Sequence, residues 1–134
     1  MKKKCFSKKE FSCEFIKFAI IGILNTIIHL AILYSLTEYF HVYYLISSTI
    51  GFIFAVTNSF IFNTLWTFKK NIKERIYSRY TKFFIISTIA AIISVSLLYL
   101  ITELFGIWYV LSQLIATTIT LTINFMGNKF WTYR

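Results

Sequence analysis

The sequence predicts an all-α integral membrane protein with four transmembrane helices, arranged as two parallel-oriented two-helix repeats with both termini in the cytoplasm. The chain has 134 residues and is 57% hydrophobic, more apolar surface than a soluble fold of this length buries. Its two halves align without a gap at an offset of 65 residues, with 19 identities over the 53 pairs that begin at Lys17 and Lys82. Its basic residues all fall on one side of the predicted spans.

Four apolar stretches follow one another along the chain: Phe15–Leu36, Val42–Leu65, Phe83–Ile101 and Ile107–Asn128. Each reaches the roughly 20 residues that cross about 30 Å of hydrocarbon as a helix. Their β-branched residues would favour strands in water. Inside a bilayer, however, the backbone has to satisfy its own hydrogen bonds, which favours helices. The chain contains no proline, so nothing is expected to break a span sharply.

The segments outside the apolar stretches are basic. The predicted division of the chain is therefore a cytosolic arm over 1–14, a first repeat over 15–69, a cytosolic loop over 70–79 and a second repeat over 80–134. The arm is consistent with a disordered topology signal or with an interfacial helix. Around the loop, Ile72, Ile76 and Tyr80 recur every four residues, which predicts a short helix that contacts anionic lipids of the inner leaflet.

The distribution of charge predicts the topology. All 14 Lys and Arg residues lie in or beside the arm, the central loop or the C-terminal end, whereas the two short turns hold only Glu38 and Glu103. Short loops rich in Lys and Arg remain in the cytoplasm, which predicts that both termini are cytoplasmic. The net charge of +9 thereby has a topological explanation, and no nucleic-acid partner is expected. Two spans in each repeat give both repeats the same orientation.

Polar side chains inside the predicted spans are the candidate binding residues. They are Asn25 and His29 in the first span, Asn58 and Asn63 in the second, and Asn124 and Asn128 in the fourth. An unpaired buried amide costs roughly 1–3 kcal/mol, so these groups are expected to face one another, a cavity or a ligand. Interhelical hydrogen bonding alone is the alternative for each of them.

His29 is the titratable side chain placed well inside a span, one turn from Asn25 on the same face. It is consistent with a neutral imidazole bonded to Asn25 or to a neighbouring helix. The more specific hypothesis is that His29 donates a hydrogen bond to a lipid head group or acts as a proton-sensitive gate. The equivalent positions in the second repeat are Ala90 and Ser94, so the two halves differ where a ligand would break their symmetry.

The sequence lacks the groups that the common enzyme classes require. It has no Asp, no glycine-rich phosphate loop and no cluster of Cys and His residues. Cys5 and Cys13 are predicted to be free thiols in the cytosolic arm. Neither catalysis, nor a metal or cofactor, nor ATP hydrolysis is predicted.

Trp66 and Trp131 end the second and fourth spans within matching segments, 63–69 and 128–134. An aromatic belt at the membrane interface explains the two rings. It does not explain why Asn-x-x-Trp-Thr-aromatic-basic occurs at both places.

These motifs resemble those of the GtrA-like family over about Phe15 to Arg134. The resemblance is carried by the paired Asn-x-x-Trp-Thr segments, by Asn25-Thr26 after Phe18-x-x-x-Gly22, and by Asn124-Phe125-Met126-Gly127-Asn128 before the last tryptophan. Family members often have a carboxylate where this chain has His29. The first-repeat equivalent of Asn124 is Ser59, with Asn58 beside it.

The resemblance implies a bacterial cytoplasmic-membrane protein of cell-surface polysaccharide or teichoic-acid glycosylation. Such proteins are thought to flip a polyprenyl-phosphate-linked monosaccharide, such as an undecaprenyl-phosphate sugar, from the inner to the outer leaflet. On this hypothesis the five amides and His29 bind the sugar and phosphate. Lys17, Lys82 and Lys129 attract the phosphate at the cytoplasmic mouth.

Two other functions are alternatives to flipping. One is a non-transporting accessory subunit that holds a membrane glycosyltransferase, in which case the polar residues face a partner helix. The other is a small multidrug-type exporter, which would normally need an intramembrane carboxylate. Membrane glycosyltransferases and further copies of the chain are the candidate protein partners.

Overall fold

The computed structural model describes residues 8–134, apart from the side chains of Tyr44, Leu45, Tyr109, Val110 and Gln113. These residues form four α-helices: α1 (Lys8–Glu38), α2 (Tyr44–Phe62), α3 (Ile76–Phe105) and α4 (Tyr109–Gly127). One turn of π-helix continues α2 over Asn63–Thr67, and another continues α4 over Asn128–Thr132. Within the described range there is no strand, which confirms the predicted all-helical class.

Three stretches are long and apolar enough to cross a membrane by length and composition: Lys8–Glu38, Ile46–Thr67 and Ile76–Phe105. Many of their large apolar side chains are exposed, including Ile23 and Ile92, as expected for helices that face lipid. The fourth predicted span corresponds to α4, whose 19 residues extend about 28 Å. Four membrane crossings and cytoplasmic termini stay predictions.

The chain divides into two compact units, the first ending at Glu74 and the second beginning at Arg75. In the first unit α2 packs against α1, and in the second α4 packs against α3. Positions 65 residues apart have equivalent surroundings within their own units: Phe18 and Phe83 are both buried, as are Phe60 and Phe125. Many residues identical in the two halves therefore lie in the core of each helix pair.

The turn after the first helix of each unit contains a left-handed residue, and the two residues are again 65 apart. His41 has φ 54° and Gly106 has φ 63°. In the first unit the Val42 N–H donates to the Leu36 carbonyl at 3.0 Å across this turn, which satisfies one of the last carbonyls of α1. Glycine adopts this conformation freely, whereas a side chain there costs about 1 kcal/mol.

The described part of the basic arm differs from the prediction of a disordered segment. From Lys8 onward it is helical and continuous with α1, so these residues belong to the first long helix and not to a separate interfacial one. At 31 residues α1 extends about 46 Å, well beyond the hydrocarbon thickness of about 30 Å. The first turns of α1 can therefore stand outside the bilayer as an extension of the span. Residues 1–7, which include Cys5, lie outside the described residues.

The central loop also differs from the predicted short helix. Residues 72–75 form a turn, in which Asn71 Oδ1 accepts the N–H of Lys73 at 3.1 Å. Helix α3 begins directly afterwards at Ile76. The four-residue spacing of Ile76 and Tyr80 therefore belongs to the first turns of α3, because a long helix and a short one have the same period.

Candidate functional site

The first unit contains a polar seam, defined as Asn25 and His29 on α1 together with Ser48 and Asn58 on α2. Asn58 Nδ2 donates to Asn25 Oδ1 at 2.7 Å. One turn further along α1, His29 Nε2 lies 3.1 Å from the Ser48 backbone oxygen and 3.4 Å from its Oγ. A bond to the carbonyl requires the imidazole to carry its proton on Nε2. Of the alternatives predicted for His29, the structure has the bond to a neighbouring helix.

The Asn25 amide retains one unused donor. The residue is 7% exposed, and its Nδ2 has no hydrogen-bond partner among the described residues. A buried donor without a partner costs about 1–3 kcal/mol, and folded proteins rarely leave one. Asn58, which bonds the other end of this amide, is partly exposed. Because the Nδ2 atom is itself buried, it can donate to an oxygen of a phosphate or a hydroxyl only if the seam opens to admit that group.

Gly51 provides the space that His29 occupies. A Cβ at position 51 would lie 2.7 Å from His29 Cδ2 and 3.1 Å from the His29 backbone oxygen, so a side chain there would clash. The equivalent residues of the second unit are Ser94 and Ala116, a smaller side chain on one helix and a larger one on the other. Sequence reasoning missed Gly51 as a site residue. The signal available in the sequence was that the two halves differ in opposite directions: the side chain at position 29 is larger than its equivalent, and the one at position 51 is smaller.

The two asparagines of the polar seam have no counterpart in the second unit. The positions equivalent to Asn25 and Asn58 are Ala90 and Ile123, and Ala90 is buried. The two units therefore share a backbone plan but differ in polarity at these two positions.

Asn63 holds the π-helical turn of the first unit. Its Nδ2 donates to the Ser59 carbonyl at 2.8 Å and to Ser59 Oγ at 3.1 Å, and its Oδ1 accepts the Thr67 hydroxyl at 2.9 Å. The Phe68 N–H donates to the Asn63 carbonyl at 2.8 Å, the wider spacing of a π-helix. Asn63 is fully buried, and its amide is used within its own helix.

Asn128 repeats this arrangement in the second unit. Its Nδ2 donates to the Asn124 backbone oxygen at 2.9 Å and to Asn124 Oδ1 at 2.8 Å, and its Oδ1 accepts the Thr132 hydroxyl at 2.8 Å. Asn128 is also fully buried. Lys129, beside it, is 8% exposed, with its Nζ 5.8 Å from the Phe125 ring centroid.

The five amides predicted as one set therefore form two groups. Asn25 and Asn58 meet between helices, whereas Asn63, Asn124 and Asn128 bond along a helix. The reason is that an amide four residues along a helix can reach the preceding turn, which satisfies it without a second helix. Ser59 occupies the place of Asn124, so Asn58 is free to face α1. Substrate contact by any of these residues stays a prediction.

The tryptophans of the repeated motif pair with the lysines of the preceding helices. Lys17 Nζ lies 5.2 Å from the Trp66 ring centroid, and Lys82 Nζ lies 5.6 Å from that of Trp131. Both distances fall within the cation–π range of about 6 Å. The motif thus has a structural meaning beyond an aromatic belt, because its Asn and Thr hold the turn that carries the tryptophan.

An edge-to-face aromatic contact accompanies each of these pairs. The Phe18 and Phe68 rings are 6.5 Å apart, and the Phe83 and Tyr133 rings are 6.3 Å apart. Such contacts are favourable beyond the area they bury. The aromatic position after Trp-Thr therefore fixes the end of the second helix of each unit against the first.

The comparisons with known proteins cover this whole arrangement. The family model described as GtrA/DPMS, transmembrane domain, matches residues 17–134. The chain belongs to this family. It is also 31% identical over 121 residues to the uncharacterized membrane protein YngA of Bacillus subtilis (strain 168), a match that covers 87% of this chain and 77% of that protein.

Membership of the GtrA/DPMS family confirms the resemblance derived from the motifs. It identifies the chain as a membrane protein and associates it with glycosylation pathways. The matched range contains α1 from Lys17 onward, the other three helices, the polar seam and both π-helical turns.

Proposed function

We propose that the protein moves a polyprenyl-phosphate-linked monosaccharide, such as an undecaprenyl-phosphate sugar, from the cytoplasmic to the outer leaflet of a bacterial cytoplasmic membrane. The sugar would then serve glycosylation of a cell-surface polysaccharide or teichoic acid. Family membership supports a role in glycosylation, and the charge distribution supports cytoplasmic termini. The sequence contains no nucleotide-binding motif, so transport would run downhill, drawn by consumption of the sugar outside.

The observation that carries this proposal is the unpartnered Nδ2 of Asn25. A phosphate and several hydroxyl groups cross hydrocarbon only if protein groups replace their water. Asn25 offers a donor, and Asn58 offers a partly exposed amide 2.7 Å away. The polyprenyl tail can remain in lipid while the head group exchanges hydrogen bonds at the seam.

The remaining predicted site residues receive different roles in the proposal. Asn63, Asn124 and Asn128 position the helix ends, because their amides bond within the same helix. Lys17 and Lys82 attract the phosphate at the cytoplasmic side, and Lys129 stays a weaker candidate because it is largely buried. His29 fixes the seam by bonding α2.

Translocation in liposomes tests the proposal. The purified protein is reconstituted with a short-chain polyprenyl-phosphate hexose, and the appearance of the head group in the opposite leaflet is timed. The double variant Asn25→Leu/Asn58→Leu removes both amides without leaving either one unpaired. Losing a hydrogen bond to a charged group costs about 1.5–3 kcal/mol, so we expect translocation to slow roughly tenfold to a hundredfold.

Thr122→Leu is the matched control for this test. Thr122 is exposed on α4, and its hydroxyl bonds the Thr118 carbonyl of its own helix. It lies one position before Ile123, the equivalent of Asn58, and is expected to keep normal translocation. Normal translocation by the double variant would reject the flippase. If that variant nevertheless abolished surface glycosylation in cells, the accessory-subunit function would be favoured.

A further inference from the structure

We infer that a basic groove on the first unit is the loading site for the phosphate of the lipid-linked sugar, and that Lys17 and Trp66 report its occupancy. This inference rests on the proposed function for the identity of the ligand. The groove is lined by residues that include Lys8, Lys9, Ile16, Lys17, Ile20 and Trp66, and its volume is about 580 Å³. That volume falls within the range of small-molecule sites, about 300–1,000 Å³.

Charge complementarity selects an anionic occupant. Three of the lining residues are lysines, and no carboxylate lines the groove in the part of the chain that the structure describes. Lys8 and Lys9 are exposed on the first turn of α1. Their ammonium groups would meet a phosphate at the interface, where each basic residue attracts an anionic head group by about 1 kcal/mol.

The apolar part of the groove selects a lipid-linked anion over a free one. Ile16 and Ile20 lie one turn apart on α1 and are 58% and 50% exposed. They continue the groove along α1 toward the apolar part of the helix. A prenyl chain can cover this apolar surface while its phosphate remains among the lysines. Inorganic phosphate would gain only the charge interaction.

The groove depends on the N-terminal extension of α1 that carries Lys8 and Lys9, and α3 has no such extension. The positions 65 residues beyond Lys8 and Lys9 are Lys73 and Glu74, which lie in the turn before α3 begins at Ile76. The second unit therefore lacks this helical extension, although its own helix start is basic, because Arg75 and Arg79 stand where the first unit has Glu10 and Glu14. The loading site for the phosphate is therefore assigned to the first unit, which also contains the polar seam.

The pair of Lys17 and Trp66 gives the groove a measurable signal. The Lys17 ammonium lies 5.2 Å from the Trp66 ring centroid, and the ring is 43% exposed. A phosphate that binds Lys17 competes with the ring for the ammonium. Binding should therefore change the fluorescence of Trp66.

The test is a titration of a protein whose sole tryptophan is Trp66, made by Trp108→Phe and Trp131→Phe. The protein is held in phosphatidylcholine nanodiscs, and a short-chain polyprenyl-phosphate hexose is added. We expect a saturable change in emission, and an affinity about thirtyfold lower in Lys8→Gln/Lys9→Gln. Lys70→Gln/Lys73→Gln removes the same charge from the loop and should change the affinity less than about threefold.

Two further arms separate the sources of phosphate. Inorganic phosphate and phosphatidylglycerol, each at the concentration that saturates with the hexose lipid, should give little change. An equal change with either one, or unaltered hexose-lipid affinity in Lys8→Gln/Lys9→Gln, would overturn the groove assignment. Binding is measured without translocation, so a groove that binds in a protein that does not flip would reject the proposed function and keep this inference.

Discussion

At the scale of single residues, the direction in which a buried amide bonds depends on the helix that faces it. Asn25 and Asn63 are both amides within apolar stretches, and no local signal separates them. The structure bonds one across to α2 and the other back along its own helix. The direction of the bond depends on whether the opposing helix has a polar partner at the same height. That partner can be identified only once the packing of the two helices is known.

The fit of His29 against Gly51 makes a prediction about stability. Gly51→Ala places a Cβ 2.7 Å from the imidazole and should destabilise the protein by about 1–3 kcal/mol, the typical cost of overpacking. Adding His29→Ser, which recreates the pair found in the second unit, should recover most of that loss. Thermal unfolding of the two variants in detergent measures both effects. Equal melting temperatures for Gly51→Ala and the wild type would contradict the close contact.

At the scale of elements, the sequence located the four helices well and their ends less well. The apolar stretches were correctly predicted to be helices, because their length and the need to satisfy backbone hydrogen bonds in an apolar medium both favour a helix. Helix α1 nevertheless begins at Lys8, within the arm. The π-helical turns were not predicted at all, because they arise from one extra residue between hydrogen-bonded groups. The repeated Asn-x-x-Trp-Thr motif was their signature in the sequence.

The π-helical turns make a prediction that applies equally to both units. Asn63→Ala and Asn128→Ala each leave a buried threonine hydroxyl without its acceptor. Each should cost about 1–3 kcal/mol of stability and weaken the Lys–Trp pair of its own unit. Ser96→Ala is the control, because Ser96 is exposed and bonds only its own helix backbone.

Unfolding and tryptophan emission of single-tryptophan proteins measure these effects. Stability in Asn63→Ala equal to that in Ser96→Ala would show that the side-chain bonds do not hold the turn. A loss in one unit alone would show that the two motifs are not equivalent.

At the scale of the whole molecule, the repeat and the charge asymmetry predict the topology. Single cysteines at positions 39 and 107, in a background with Cys5 and Cys13 replaced by Ser, should react with an impermeant thiol reagent on intact cells. A single cysteine at position 74 should react only after the membrane is opened, because basic loops stay in the cytoplasm. The reverse labelling pattern would invert the predicted orientation.

The difference between the two units predicts a variant that separates folding from function. Replacing Asn25, His29, Gly51 and Asn58 by their second-unit equivalents gives Asn25→Ala/His29→Ser/Gly51→Ala/Asn58→Ile. Its stability should equal or exceed that of the wild type, because a buried unpartnered donor is removed. Its rate of sugar translocation in liposomes should fall at least tenfold. A normal rate would assign transport to residues outside the seam.

The contact between His29 and Gly51 also restricts the order in which mutations can accumulate. If both units descend from one ancestral helix pair that carried Ser and Ala at these positions, a histidine that arose first would lower stability by about 1–3 kcal/mol, because the alanine Cβ would lie too close to it. A glycine that arose first would leave only a small space, which histidine could then fill. Reversion is opposed in the same way, since alanine would return at the same cost while histidine remains. A close approach of 2.7 Å thus makes the divergence of the two halves hard to undo.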